Sequence, residues 1–217
     1  GGQVSLAGTG TTISTSTRGS GSGGNVGINA AQLALDGGAT IAASTTGAGA
    51  AGQIDITATE ALRLKGIGTG VSTATEGAGA GGSLTVQAPS VSLEDGAAIF
   101  ADTTGDGDAG GVRISIWDAG SLSLRSGARI SSQSGREDGA VGAGSGGTVT
   151  IEAGGGAVSL AGLGTTISTN TRGSGSGGNV SVYAQRMTLQ DGATISSSST
   201  GTGLAGDVSI ALADGLT

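Results

Sequence analysis

Short aliphatic pairs recur along the chain at a spacing that leaves few folds open. They are Val4/Leu6, Leu33/Leu35, Leu62/Leu64, Val91/Leu93, Leu122/Leu124, Val158/Leu160 and Met187/Leu189. The second members advance by 29, 29, 29, 31, 36 and 29 residues, which divides the 217 residues into seven units. A single aliphatic anchor follows each pair, at Ile13, Ile41, Val71, Ile99, Ile130, Ile167 and Ile195. A further pair closes each unit: Val26/Ile28, Ile54/Ile56, Leu84/Val86, Val112/Ile114, Val149/Ile151, Val180/Val182 and Val208/Ile210.

Spacing of two puts paired aliphatics on one face of a strand and the residue between them on the other. No unit supports a helix, because breaks such as RGSGSGGN (18–25) and TGAGAAGQ (46–53) would cost a helix about 1 kcal/mol per glycine. Asp36-Gly37, Asp95-Gly96 and Asp191-Gly192 mark one corner of the unit. Small pairs such as Gly81-Gly82 and Gly177-Gly178 mark another.

One unit has no second layer against which to bury its aliphatic face, so successive units must stack. The expected fold is all-β: a right-handed parallel β-helix of about seven coils of about 29 residues, three strands per coil. At about 4.8 Å per coil the rod is roughly 34 Å long. The coils fall near 1–30, 31–58, 59–88, 89–118, 119–153, 154–184 and 185–217, as a single array. Residues four and two after each anchor share its inward parity, so Thr45, Thr75, Thr103 and Thr171, with Thr73 and Thr169, should form hydroxyl ladders facing the core. An ice-binding array of outward Thr-x-Thr is thereby disfavoured.

Composition alone is ambiguous: 48 glycines and only 35% hydrophobic residues sit near the border of disorder, and residue order decides. The net charge of −7 argues against a nucleic-acid partner, which needs basic stripes. Absence of Cys and His leaves no disulfide framework and removes the commonest metal ligand and general base. No run approaches the roughly 18 apolar residues of a membrane-spanning helix. The opening GGQVSLAGTG has neither a basic nor an apolar leader region, and the chain is expected to be a segment of a longer protein.

Few residues point to chemistry. Asp102, Asp106 and Asp108 fall within the turn TTGDGDAGG and are a Ca²⁺ candidate through oxygen ligands; no other cofactor is expected. A polysaccharide lyase or glycosidase needs acids and bases gathered on neighbouring coils, for which Asp102 with Arg129 or Arg136 are the available ingredients. No outward column accumulates acids over adjacent coils, so catalysis is not expected. The fifth unit carries an extra excursion, GREDGA, which places Arg136, Glu137 and Asp138 on a protruding loop and makes them candidates for partner contact. Phe100, Trp117 and Tyr183 fall at outward positions, where rings stack on sugars or proteins; Trp117 and Tyr183 join the contact candidates.

The units LDGGATIAASTTGAGAAGQIDITA (35–58), SLEDGAAIFADTTGDGDAGGVRISI (92–116) and LQDGATISSSSTGTGLAGDVSIALA (189–213) resemble the repeats of filamentous-haemagglutinin-like exoproteins. Those are bacterial surface proteins exported by two-partner secretion. The resemblance spans all seven units and implies an extracellular or cell-surface shaft with structural and adhesive roles. Expected partners are neighbouring coils or other copies end to end, and a host-cell, matrix or glycan surface. The family's amino-terminal secretion domain and its Asn-Pro motifs are not in this sequence, whose one proline is Pro89. Residues 4–26 and 158–180 agree at 21 of 23 positions, differing at Thr9/Leu163 and Ser16/Asn170, so five units form a higher-order block.

Overall fold

The computed structural model describes residues 1–135 and 143–213, and among them every regular element is a β-strand. Fifteen strands alternate between two parallel sheets. The odd-numbered strands are β1 (Gln3–Ala7), β3 (Val26–Asp36), β5 (Ile54–Lys65), β7 (Leu84–Glu94), β9 (Val112–Arg125), β11 (Val149–Ala161), β13 (Val180–Gln190) and β15 (Val208–Leu212). They form an eight-stranded sheet in sequence order. The even-numbered strands are β2 (Thr12–Thr17), β4 (Thr40–Thr45), β6 (Gly70–Ser72), β8 (Ala98–Phe100), β10 (Arg129–Ser131), β12 (Thr166–Thr171) and β14 (Thr194–Ser199), and they form the seven-stranded sheet. The chain is thus a β-solenoid of about seven turns, with equivalent residues of successive units paired: Leu33 with Leu62, Leu62 with Val91, Ile99 with Ile130 and Ile130 with Ile167.

Each unit's closing run flows into the opening run of the next. Val26–Asp36, for example, is one strand carrying both Val26/Ile28 and Leu33/Leu35. A register shift marks the corner, between Ala30 and Gln32 in β3 and between Ala88 and Ser90 in β7. The three runs of each coil are therefore present, but two of them share a strand bent at a bulge. The Asp-Gly corner leads into the short sheet: Asp95 and Gly96 have φ of 56° and 83°, and the turn closes through Ala97 N–H to Glu94 O at 3.2 Å.

Inward aliphatics of both sheets meet in one continuous core. Leu62, Val71, Leu84, Val91, Ile99, Leu122, Ile130 and Ile167 are all fully buried. Terminal coils have a neighbour on one side only, so Ile13, Leu189, Val208 and Ile210 are 36–43% exposed.

Hydroxyls complete the inner surface. Thr45, Thr73, Thr75, Thr103, Ser132, Thr169 and Thr171 are buried, as their parity requires. Thr73 Oγ1 donates to Gly82 O at 2.7 Å, and Thr15 and Thr169 bond the equivalent carbonyls of Gly24 and Gly178. Ser132 and Ser197, where the column has serine, reach instead to the arch of the preceding coil, at Gly110 O and Gly178 O. These hydroxyls tie the glycine-rich arch to the core, satisfying carbonyls that would otherwise be buried unpaired.

The arches explain the glycine content. A Cβ on Gly52, Gly82, Gly110, Gly147 or Gly178 would collide with the backbone carbonyl oxygen of Gly24, Gly52, Gly82, Gly110 or Gly147 in the coil below. The column Gly49, Gly79, Gly107, Gly144 and Gly175 behaves the same way. Close backbone approach between coils, rather than a turn conformation, requires glycine there.

Candidate functional site

The acidic turn follows β8. The Asp102 carboxylate accepts the Gln133 backbone N–H at 2.9 Å and the Ser131 hydroxyl at 3.2 Å, both from the next coil. Asp108 accepts the Ser145 N–H at 2.7 Å, while Asp106 is exposed. Asn25 and Asn179 do the same work elsewhere, accepting the N–H groups of Gln53 and Asp207 at 2.9 and 2.8 Å. Asp102 and Asp108 therefore bridge coil to coil. Among the described residues no three His, Cys, Asp or Glu side chains gather as a metal site would need.

Trp117 and Tyr183 stand on the outward side of the eight-stranded sheet, in β9 and β13. Tyr183 is 50% exposed, and its ring fills the space that a Cβ on Gly154 would take. Trp117 is half-buried beside the corner residue Asp118, whose φ is 56°. Phe100 lies apart, on the seven-stranded sheet, so the three rings do not form one platform.

Beside Tyr183 is a polar group that repeat-by-repeat reading misses. Glu152, paired in register with Tyr183 and with Ser115, takes an ion pair from Arg113 at 2.6 Å and a hydrogen bond from the Ser115 hydroxyl at 3.2 Å. Arg113, Ser115, Glu152 and Tyr183 thus form a patch of donors, acceptors and one exposed ring across β9, β11 and β13. A second feature missed in sequence is the outward column Asp36, Lys65, Glu94 and Arg125, where charge alternates from coil to coil. The pairs Asp36/Lys65 and Lys65/Glu94 are in register, and with Arg63 they line a hollow of about 330 Å³. Lys65 also lies 3.7 Å from Asp95. Opposite charges directly across a ladder stabilise register.

Arg136, Glu137 and Asp138 lie outside the described residues. The flanking backbone is in place: Ser134 bridges to Thr103 and Thr171, and Gly135 N–H bonds Thr103 O at 2.9 Å. On the other side, Gly146 N–H bonds Ser176 O at 2.9 Å. Asp102 and Arg129, the other pair available for acid–base work, occupy separate outward positions, four residues apart along the β8 register.

Comparison with protein-family models, with curated proteins and with solved structures finds no match.

Proposed function

We propose that the chain is a non-catalytic structural and adhesive shaft, carried at a bacterial surface or released outside the cell, in keeping with its resemblance to filamentous-haemagglutinin-like repeats. One observation carries the reading: an inward anchor column of Ile or Val and parallel ladders run through every described coil, while the outward columns change residue type from coil to coil. Such a stack transmits length and stiffness, because each coil is held only by its neighbours and can be multiplied without altering the rest. On this reading the aliphatic edges at Ile13 and at Val208 and Ile210 meet other coils of this kind, in the same chain or in another copy. Host-cell, matrix or glycan surfaces are the partners of the outward patches.

A second reading, a carbohydrate-binding β-helix, is favoured by the exposed Tyr183 ring beside the Arg113–Glu152 pair. Immunogold labelling of intact cells that express the protein tests the main reading. Label at the outer surface or on shed filaments is expected; label seen only after permeabilisation overturns it. Turnover of an acidic polysaccharide, lost in Asp102→Ala, would replace the non-catalytic reading with an enzymatic one.

A further inference from the structure

The outward face of the seven-stranded sheet is mostly a pavement of small hydroxyl residues, and in its middle coils that pavement is interrupted. Thr40, Gly70, Ala98 and Arg129 are successive neighbours in one outward column. Ser72 and Phe100 are neighbours in the next. Gly70 and Ala98 contribute almost no side chain, so a hollow of about 400 Å³ opens over them. Thr40 closes it on the side of coil two, Arg129 on the side of coil five, and Ser72 and Phe100 along one flank. The volume lies at the lower end of the range for small-ligand sites.

The rim is chemically uneven. The Arg129 guanidinium carbon lies 5.3 Å from the centre of the Phe100 ring, close enough for a cation–π contact that holds both groups in place. An edge atom of the ring comes within 3.9 Å of the position a Cβ on Gly70 would take, so the ring leans over the floor. Arg129 is half-buried, yet the ion pairs among the described residues are Lys65–Asp95 and Arg113–Glu152, and neither involves it. A partly desolvated guanidinium without a carboxylate partner favours an incoming anion. The same hollow offers an apolar ring, the Ser72 hydroxyl, and the Thr40 hydroxyl, which donates to Thr12 Oγ1 at 3.1 Å and is left to accept.

We propose that this hollow binds a carboxylate-bearing sugar, a hexuronate unit of an acidic polysaccharide: Arg129 takes the carboxylate, Phe100 meets the apolar C–H face, and Thr40 and Ser72 bond the hydroxyls. The ring and the hydroxyls favour a saccharide over an acidic peptide, which would use the guanidinium alone. The chain's charge of −7 opposes a polyanion elsewhere on the rod, so recognition is local and weakens with salt. The site gives the adhesive half of the proposed function a ligand class and depends on that reading only for its biological setting.

The test is calorimetric titration of the purified chain with trigalacturonate, with its methyl ester as the neutral probe and a short poly-glutamate as the acidic peptide. Trigalacturonate should bind and the other two should not. Arg129→Gln should weaken binding about tenfold or more, Phe100→Leu should weaken it too, and Arg18→Gln should leave it unchanged, with melting unaltered in all three variants. Equal binding of the methyl ester, unchanged binding in Arg129→Gln, or no binding of trigalacturonate overturns the site. Equally tight poly-glutamate binding overturns the saccharide assignment. Because the titration uses the isolated chain, its failure leaves the shaft reading standing, and a failed surface label leaves the titration standing.

Discussion

Replacing Gly82 with Ala adds one methyl group at a point where two backbones touch. The new Cβ would overlap the Gly52 carbonyl oxygen of the coil below and lie 3.1 Å from Thr73 Cβ. No flexible side chain can give way, so the coils must part. Overpacking of this kind costs about 1 to 3 kcal/mol. Parting also strains the arch bonds between the same two coils, Ala51 N–H to Ala80 O and Ile54 N–H to Ser83 O, both at 3.0 Å, which contribute about 1 kcal/mol each. Against this, Ala restricts the unfolded chain and returns about 0.4 to 1 kcal/mol. The net expectation is a loss of about 2 to 4 kcal/mol. Gly27 is the control: it is exposed on β3, and a Cβ there meets nothing within 4 Å. Gly27→Ala should be neutral or stabilising by up to about 1 kcal/mol. Urea unfolding followed by far-ultraviolet circular dichroism measures both, and hydrogen exchange localises the loss to coils two to four. Equal effects of the two substitutions would refute the account of the glycine columns.

Ile167, fully buried between Ile130 and Ile195, should not tolerate charge: Ile167→Asp buries an unpaired carboxylate at a cost of several kcal/mol, read as new proteolytic cleavage around coils five to seven. Thr73→Val keeps the shape but orphans the Gly82 carbonyl, and should cost about 1 to 3 kcal/mol in urea unfolding, whereas Thr73→Ser should cost less. The Arg113–Glu152 pair is about half exposed on both sides, so its coupling in a double-mutant cycle should stay below about 1 kcal/mol and shrink in added salt.

The repeat, the inward aliphatics and the direction of the hydroxyl ladders could be read from the sequence because each follows from parity along a strand. Thr75 and Thr103 differ from their neighbours in no other way. The corner between a closing and an opening run was harder to place. Segments such as NAAQL (29–33) and QAPSV (87–91) carry small and polar residues, which fit a break as well as a bulge inside one strand. Glycine is ambiguous for a similar reason: the letter is the same whether a position needs an unusual φ, as Gly96 does, or lacks room for a Cβ, as Gly82 does. Of the candidate sites, Asp102 and Asp108 proved to be cross-coil acceptors. The Arg113–Glu152 contact was hidden because the enlarged fifth unit sets its members 39 residues apart, off the main period. The Arg129 hollow depends on two absences, the missing side chain of Gly70 and the short one of Ala98, and absences acquire meaning only once the columns are aligned.

The register between coils is the claim on which everything else rests, and the lack of native cysteine makes it open to cross-linking. Thr166 and Thr194 are paired across β12 and β14, with their hydroxyls 3.3 Å apart on the outward face. Parallel strands about 4.8 Å apart bring such a pair within disulfide geometry, while a partner two residues along the strand is out of reach. The double variant Thr166→Cys/Thr194→Cys should therefore oxidise rapidly within one chain in the folded state. Thr166→Cys/Ser196→Cys should not. Rapid closure of the second pair, or failure of the first in folded protein, would contradict the stacked solenoid in the register described.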